Sequence, residues 1–570
     1  MAYDHSELEK KAREKWAELN LYSADLSDTS RERYYLLTEF PYPSGDLHIG
    51  HWYAFAVTDI YARMLRMRGK NVLFPIGFDA FGLPAENAAI KNGADPKEWT
   101  YANIARMREQ LASMGASFDW SKEILTSDPR YYQWTQWLFV KLFEHGLAER
   151  KKAAVKWCPQ CLTVLANEQV IDGHCERCSS AVEEKQLTQW FLKITQYAER
   201  LLTGLDALPW REEIKEAQRA WIGKSEGAHV SFEVRTSDVR NASGTSDVQP
   251  IKVFTTRPDT LFGATYVVLA PEHDLVSALL PNVSNKKEVK EYIRATKKKT
   301  ERQRSEHKEK TGVRPEGITA VNPATKEEIP VYAADYVLAS YGTGAVMAVP
   351  AHDERDYEFA IQRELPIRAV VEGVEMRGCY TGIGKLFNSG EFDGRDSEEA
   401  KWDIVKAVGG ERATQYRLRD WLVSRQRYWG CPIPVVYDPK GEPHAVPAEH
   451  LPWLLPTDVD FTPTGKAPLA SSKELQERVM RLFGEGWTPE YDTLDTFVDS
   501  SWYFLRYLDS NNAHEFSNAA VMKAWLPINR YSGGSEHTTM HVLYARFFTK
   551  ALYDLALVPV EEPFFERFNR

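Results

Sequence analysis

Hydrophobic positions in the first third of the chain follow two periods in turn. "YYLLTE" (Tyr34 to Glu39) is an aromatic and aliphatic run stopped by prolines, which predicts a buried strand. Pro41 and Pro43 cannot continue a ladder, and Ser44, Gly45 and Asp46 supply turn chemistry. From Leu47 onward, Ile49, Tyr53, Ala56, Ile60 and Leu65 recur at helical spacing. Strand, turn and helix in this order form half of a parallel α/β unit, whose helix N-terminus lies at the carboxyl edge of the sheet and attracts anions. Upstream, Leu8, Ala12, Trp16 and Leu19 make one stripe, which predicts a docking helix rather than a targeting sequence. "RYYQWTQWLFVKLFEHGLAER" predicts a long amphipathic helix ending near a glycine.

Near residue 220 the pattern changes. "HVSFEV", "IKVFTT", "TYVVLA", "AVMAVPA" and "IRAVVE" predict strands, and helical, Trp-rich character returns near Leu418. A β-rich domain of about 190 residues is therefore expected as an insertion in an α/β domain. "RTSDVRNASGTSDVQP" reads as a surface hairpin tip, and "KKKTERQRSEHKEKTG" as a solvated helical face, with RNA contact the minority reading.

Length and charge add limits. A chain of 570 residues has room for roughly three to five domains. Hydrophobic content of 43% with 27% charged residues fits a soluble globular enzyme, and no long uncharged apolar run argues for a membrane, so a cytoplasmic or organelle-matrix location is expected. The net charge of −10 taken alone argues against a nucleic-acid partner, although a local patch matters more than the total.

The candidate chemistry starts with His48 and His51, which share a face at the helix start, with Gly50 leaving room for a phosphate or flat ring. The spacing also fits two ordinary helix-start histidines. "WCPQC" and "HCERC" place Cys158, Cys161, Cys175 and Cys178 in two C-x-x-C knuckles separated by thirteen residues, the donor set of a structural Zn2+. Two disulfides fit a reducing compartment poorly. Cys379 and Cys431 read as small buried side chains. In the β-rich insert, "TTRPDTLFGATY" carries Thr255, Thr256, Arg257, Asp259 and Thr260, and "GTGAVMAVPAHDERDYEFA" carries His352, Asp353 and Asp356. Asp353 can be a helix cap and the threonines a β-edge; equally, an acidic pair facing hydroxyls could bind an amino group and position a water.

Read together, "PYPSGDLHIGH", "FPIGFDAFGLPAENAAI", "WCPQC…HCERC", "TTRPDTLFGATY", "GTGAVMAVPAHDERD", "RDWLVSRQRYWG" and "YSGGSEHTTMHVLYARF" resemble the leucyl-tRNA synthetases over nearly the whole chain, in that family's order. Isoleucyl and valyl relatives share the fold, the insert and the two histidines; "FGLPAEN" and "SRQRYWG" look leucyl. The zinc module before the insert is similar to the bacterial and organellar arrangement. The resemblance implies an α/β fold: a Rossmann-type parallel-sheet catalytic domain (1–150 with an N-terminal helix, and 418–570), a zinc-binding module (151–190), a connection (191–224) and an inserted β-rich editing domain (225–417).

The resemblance also implies ligands and roles. ATP with Mg2+, leucine and tRNA(Leu) are the expected partners, with no membrane. His48, Gly50, His51, Gly533, Gly534, Glu536 and His537 match the ATP site, where both histidines stabilise the adenylation transition state. Phe40, Tyr42 and Asp79 match the residues around leucine's backbone, Asp79 pairing with the ammonium. Phe497, Ser500 and Tyr503, spaced i, i+3, i+6 on one expected helical face, match the side-chain pocket together with His541. In the insert, Thr260 is expected to exclude leucine, Asp356 to hold the α-amino group, Arg257 to meet the tRNA 3′ phosphates, and Thr255, Thr256 and Asp353 to line the water and ribose. The family's second signature, Lys-Met-Ser-Lys-Ser, does not occur in the chain. The expectation is thus a C-terminally incomplete and impaired synthetase, whether a truncated polypeptide, the product of an incomplete gene or one half of a split enzyme that a separate C-terminal fragment or subunit would complete; an editing deacylase or tRNA-binding fragment is the alternative.

Overall fold

The structure is a computed structural model that describes residues 4–166, 169–236, 249–296, 304, 310–338, 342–373, 378–462 and 464–570. Most of the expected hairpin tip and of the lysine-rich stretch lie outside the described residues. The chain forms two compact units, Met1–Ile222 with Leu418–Arg570, and Gly223–Arg417.

In the first unit the strand Arg33–Thr38 is buried from Tyr35 to Thr38. Burial on both faces is what a run without alternation predicts for a central parallel strand. It pairs in parallel with Asn71–Leu73 on one side and Ile528–Gly533 on the other, and Phe564–Asn569 completes the four-stranded sheet. Pro75–Phe78 and Asp119–Leu125 form a separate parallel pair. A long antiparallel hairpin, Ala148–Cys158 with Glu183–Leu192, carries the cysteine knuckles at its far end. The arginines of "SRQRYWG" tie distant motifs together: Arg427 pairs with Glu86 at 3.1 Å and Arg425 with Asp495 at 2.7 Å, all four buried.

Two expectations need correction, at the N-terminal helix and at "IRAVVE". The helix expected after the proline turn is present, running Ile49–Met67 with His48 as its cap; Ile49 and Ile60 are exposed, whereas Phe55, Thr58, Asp59, Ala62 and Leu65 are buried. Periodicity locates a helix, but the packing partners decide which face is covered. Along His5–Glu18 no residue is fully buried; Trp16 of the expected stripe meets the Tyr22 ring and the Arg63 guanidinium, Ala12 is half-buried, and Leu8 and Leu19 stay exposed. "IRAVVE" forms no strand and makes a single bridge, Val371 to Leu386.

The second unit is an eight-stranded, mainly antiparallel sheet. Its spine order is Ile251–Thr255, Lys224–Thr236, Ile318–Val321, Glu328–Ala334, Tyr266–Leu269 and Ala345–Ala348. Along Lys224–Thr236, Ala228, Val230, Phe232 and Val234 alternate with exposed residues and enter one core, the period-two pattern the sequence carries. Glu411–Tyr416 returns against the start of that strand, with Lys224 opposite Tyr416.

Candidate active sites

The helix Ile49–Met67 begins with reciprocal imidazole caps. His48 Nδ1 accepts from the Gly50 N–H at 3.1 Å, and the His48 N–H donates to His51 Nδ1 at 3.2 Å. A Cβ on Gly50 would lie 2.9 Å from the His48 ring, so glycine keeps this cap possible. Because both Nδ1 atoms accept, each neutral ring carries its proton on Nε2. Burial, then His48 and Arg570, push His51 down to about 4, which keeps it neutral near pH 7. The two readings of the histidine pair are therefore not exclusive: the rings cap the helix and also line a cavity.

That cavity, of about 390 Å³, lies at the carboxyl ends of Arg33–Thr38 and Ile528–Gly533, where open α/β sheets hold ligands. His48, Gly50, His51, Gly534, Glu536 and His537 line it together with Phe40, Tyr42, Asp79, Phe497, Ser500 and His541. Two expected residues stand behind its wall. Tyr503 stacks on Phe40 at 4.1 Å between centroids, and Gly533 sits where any Cβ would run into the Glu39 carboxylate. The single helical face expected for Phe497, Ser500 and Tyr503 is not formed. The helix Thr496–Ser500 stops at Ser501–Trp502 and a second begins at Tyr503, because buried Trp502 turns to stack on Tyr131.

His541 is locked in one tautomer. Its Nε2–H donates to the Ser500 carbonyl at 2.6 Å, so Nδ1 accepts from Tyr531 at 3.2 Å. Burial pushes it down to about 4, leaving it neutral against the apolar wall. Asp79 is buried and burial pushes it up to about 7. Glu39, which the sequence reading passed over, accepts from the Gly534 N–H at 2.9 Å and pairs with Arg567 at 3.3 Å. Its signal was a carboxylate ending a buried strand, opposite a Gly-Gly pair.

Cys158, Cys161, Cys175 and Cys178 bring four Sγ atoms within 4.8 Å of one another, and none forms a disulfide. Four converging thiols from two knuckles, three of them buried, fit a closed tetrahedral metal site.

In the second unit, pairing of Tyr266 with Ala348 places the segment before one strand beside the segment after the other. This brings Thr255–Thr260 and Val349–Asp356 to the same end of the sheet. Asp353 caps the helix Glu354–Gln362, accepting from the Arg355 and Asp356 N–H groups, and is also paired with Arg355 at 3.0 Å. Asp356 is buried, accepting from Val349 N–H at 2.9 Å and from the Tyr336 hydroxyl at 3.1 Å; burial first, then Asp353, push it up to about 7. Tyr336 was missed, its signal being a lone polar ring in "AADYVL". Arg257 is held by Asp259 at 2.8 Å and by the Thr381 and Gly382 carbonyls. Buried Thr260 donates to Arg257 O at 2.9 Å, Thr255 accepts from Arg257 N–H, and Thr256 is exposed. His352 is used up on backbone groups of Tyr380 and Val370.

The family profile described as "tRNA synthetases class I (I, L, M and V)" matches residues 11–226 and 411–555. A parallel sheet with a His-capped helix at its carboxyl edge, interrupted by a second unit, is thus that of a class I aminoacyl-tRNA synthetase. The profile "Leucyl-tRNA synthetase, editing domain" matches residues 219–409. A leucine–tRNA ligase of Rubrobacter xylanophilus is 50% identical, covering 100% of this chain and 69% of its own length, and one of Thermotoga maritima is 48% identical over the same shares. The chain belongs to the leucyl-tRNA synthetase family. It is also similar to the LeuRS in a crystal structure of the Agrobacterium radiobacter agnB2 LeuRS–tRNA–LeuAMS ternary complex, with TM-score 0.86, 38% identity, and coverage of 100% of this chain and 68% of that one. Among the described residues, no helix is long and apolar enough to cross a membrane.

Proposed function

We propose that this chain forms leucyl-adenylate from leucine and ATP with Mg2+, transfers leucine to tRNA(Leu), and hydrolyses mischarged tRNA in its second unit. The observation that carries the reading is the single cavity in which phosphate-type donors meet an amino-acid pocket. The Nε2–H groups of His48 and His51 stabilise charge building on the α-phosphate as the leucine carboxylate attacks. Glu536 takes ribose hydroxyls, Asp79 the ammonium beside Phe40 and Tyr42 at leucine's backbone, and Phe497, Ser500 and His541 surround the side chain. The relative solved with tRNA and LeuAMS supports the same partners. Leucine-dependent ATP–pyrophosphate exchange tests the first step. Its complete absence, with deacylation intact, would leave a deacylase instead.

A hydrophobic pocket separates side chains one methylene apart by only about 1–3 kcal/mol, the handicap that a second, hydrolytic sieve removes. In this reading Thr260 occupies the volume that leucine's branch would need and Asp356 holds the α-amino group. Thr260→Ala is expected to open the sieve, so that correctly charged leucyl-tRNA is hydrolysed at a rate approaching that of norvalyl-tRNA. Deacylation assays on both substrates check this, and leucyl-tRNA spared by the variant would remove Thr260 from the role.

The four cysteines are proposed to hold one structural Zn2+, which fixes the hairpin end and takes no part in the chemistry. Cys175→Ser leaves three thiolates. The expected result is a zinc content well below one per chain and a lower Tm, read by metal analysis and thermal unfolding.

A further inference from the structure

Asp79 follows the strand Pro75–Phe78, and Thr126 follows its parallel partner Asp119–Leu125, so the register Phe78–Leu125 sets the two side by side. The Thr126 hydroxyl oxygen accepts from the Ala80 N–H at 2.7 Å and from the Phe81 N–H at 3.3 Å. With its lone pairs taken, its hydrogen goes to Asp79 Oδ1 at 3.2 Å. Thr496, opening the helix Thr496–Ser500, donates to the same Oδ1 at 2.9 Å. Asp79 Oδ2 is buried and has no hydrogen-bond partner, in a residue that lines the cavity beside Phe40 and Tyr42. Buried acceptors left bare are rare and costly, and this one stands where the proposed function needs a cation.

We propose that Thr126 and Thr496 are positioning residues for the amino-acid substrate: together they occupy one oxygen of Asp79 and keep the other bare for the α-ammonium, so that leucine pairs with Asp79 only in its ionised form. This rests on the reading of Asp79 as the ammonium partner. In the empty cavity burial outweighs the two hydroxyls and Asp79 carries a proton up to about pH 7. Binding below that pH then joins the ammonium to the carboxylate and releases one proton to solvent. The other groups facing Asp79 are Asp495, Asp499, Arg177 and the phenols of Tyr42, Tyr131 and Tyr507. Asp495 is paired with Arg425, the three phenols are pushed well up by burial, and Asp499, also pushed up by burial, does not line the cavity.

Calorimetry of leucine binding to the full chain, in two buffers of different ionisation heat, tests the proposal. Leucine affinity should fall about tenfold per pH unit below about pH 7, with close to one proton released per leucine. Thr126→Val and Thr496→Val should each move the midpoint up by about one pH unit, and Thr126→Ser and Thr496→Ser should restore it. Asp79→Asn should bind leucine weakly and lose this pH dependence. Native-like affinity in Asp79→Asn would overturn the ammonium reading itself. Weak binding in Asp79→Asn, with unmoved midpoints in both valine variants or no proton release from the native chain, would overturn the threonine clamp alone.

Discussion

His51→Ala lowers leucine-dependent pyrophosphate exchange by about 10²–10³, equivalent to about 2.7–4 kcal/mol of transition-state stabilisation, the usual consequence of removing one preorganised donor from a developing oxyanion. The structure separates this loss from a folding defect. His51 Nδ1 caps the His48 N–H, and a cap is worth about 0.5–2 kcal/mol of stability, too little to unfold a chain with extensive buried cores. Thermal unfolding therefore shifts modestly while exchange collapses. His51→Asn, which can still cap the helix but carries its donor on a shorter side chain, should recover the Tm and not the rate. Exchange within a few-fold of the native rate in His51→Ala would remove the histidine from the chemistry and leave it as a cap.

Asp356→Asn abolishes most deacylation of norvalyl-tRNA. The amide can still accept from the Val349 N–H and donate to the Tyr336 oxygen, so the buried network survives with its charge removed. Truncating one partner of a desolvated ion pair costs about 2–5 kcal/mol, roughly thirtyfold to several thousandfold. The native pH profile carries a matching sign. Burial and Asp353 push Asp356 up to about 7, and the ionised form is the one that pairs with an ammonium, so deacylation rises through about pH 7 and is lost below it. An unchanged deacylation rate in Asp356→Asn, or a profile flat across neutral pH in the native enzyme, would contradict the assignment.

These groups were not equally legible in the sequence. The histidine pair and each Cys-x-x-C knuckle could be read because the residues of each lie three positions apart; the convergence of the two knuckles depends on the hairpin Ala148–Cys158 with Glu183–Leu192, whose far end carries both. The helix that starts after His48 was legible, but the face it buries was not, because a helix with apolar residues on several faces does not declare which neighbours it will meet. The break at Trp502 was invisible for a related reason: its cause is the ring of Tyr131, far away in the chain. The clamp on Asp79 draws on Thr126 and Thr496, which no local pattern links. Asp353 could be read in two ways, and the capping one is realised, with its carboxylate committed to Arg355 and the helix start.

Ile222 O accepts from Leu418 N–H, Gly223 O accepts from Arg417 N–H, and the strands beyond run side by side from Lys224 and Tyr416. The chain thus leaves the first unit and re-enters it through a zipped stem. In polymer terms the host does not close a loop as long as the editing unit. Once the stem has formed, it closes only the short bridge between two neighbouring residues, and the entropy of the long excursion is charged to the insert's own folding. Such a stem makes the insert a cassette: its length and sequence can drift, or it can be exchanged, with little effect on the closure cost borne by the catalytic half.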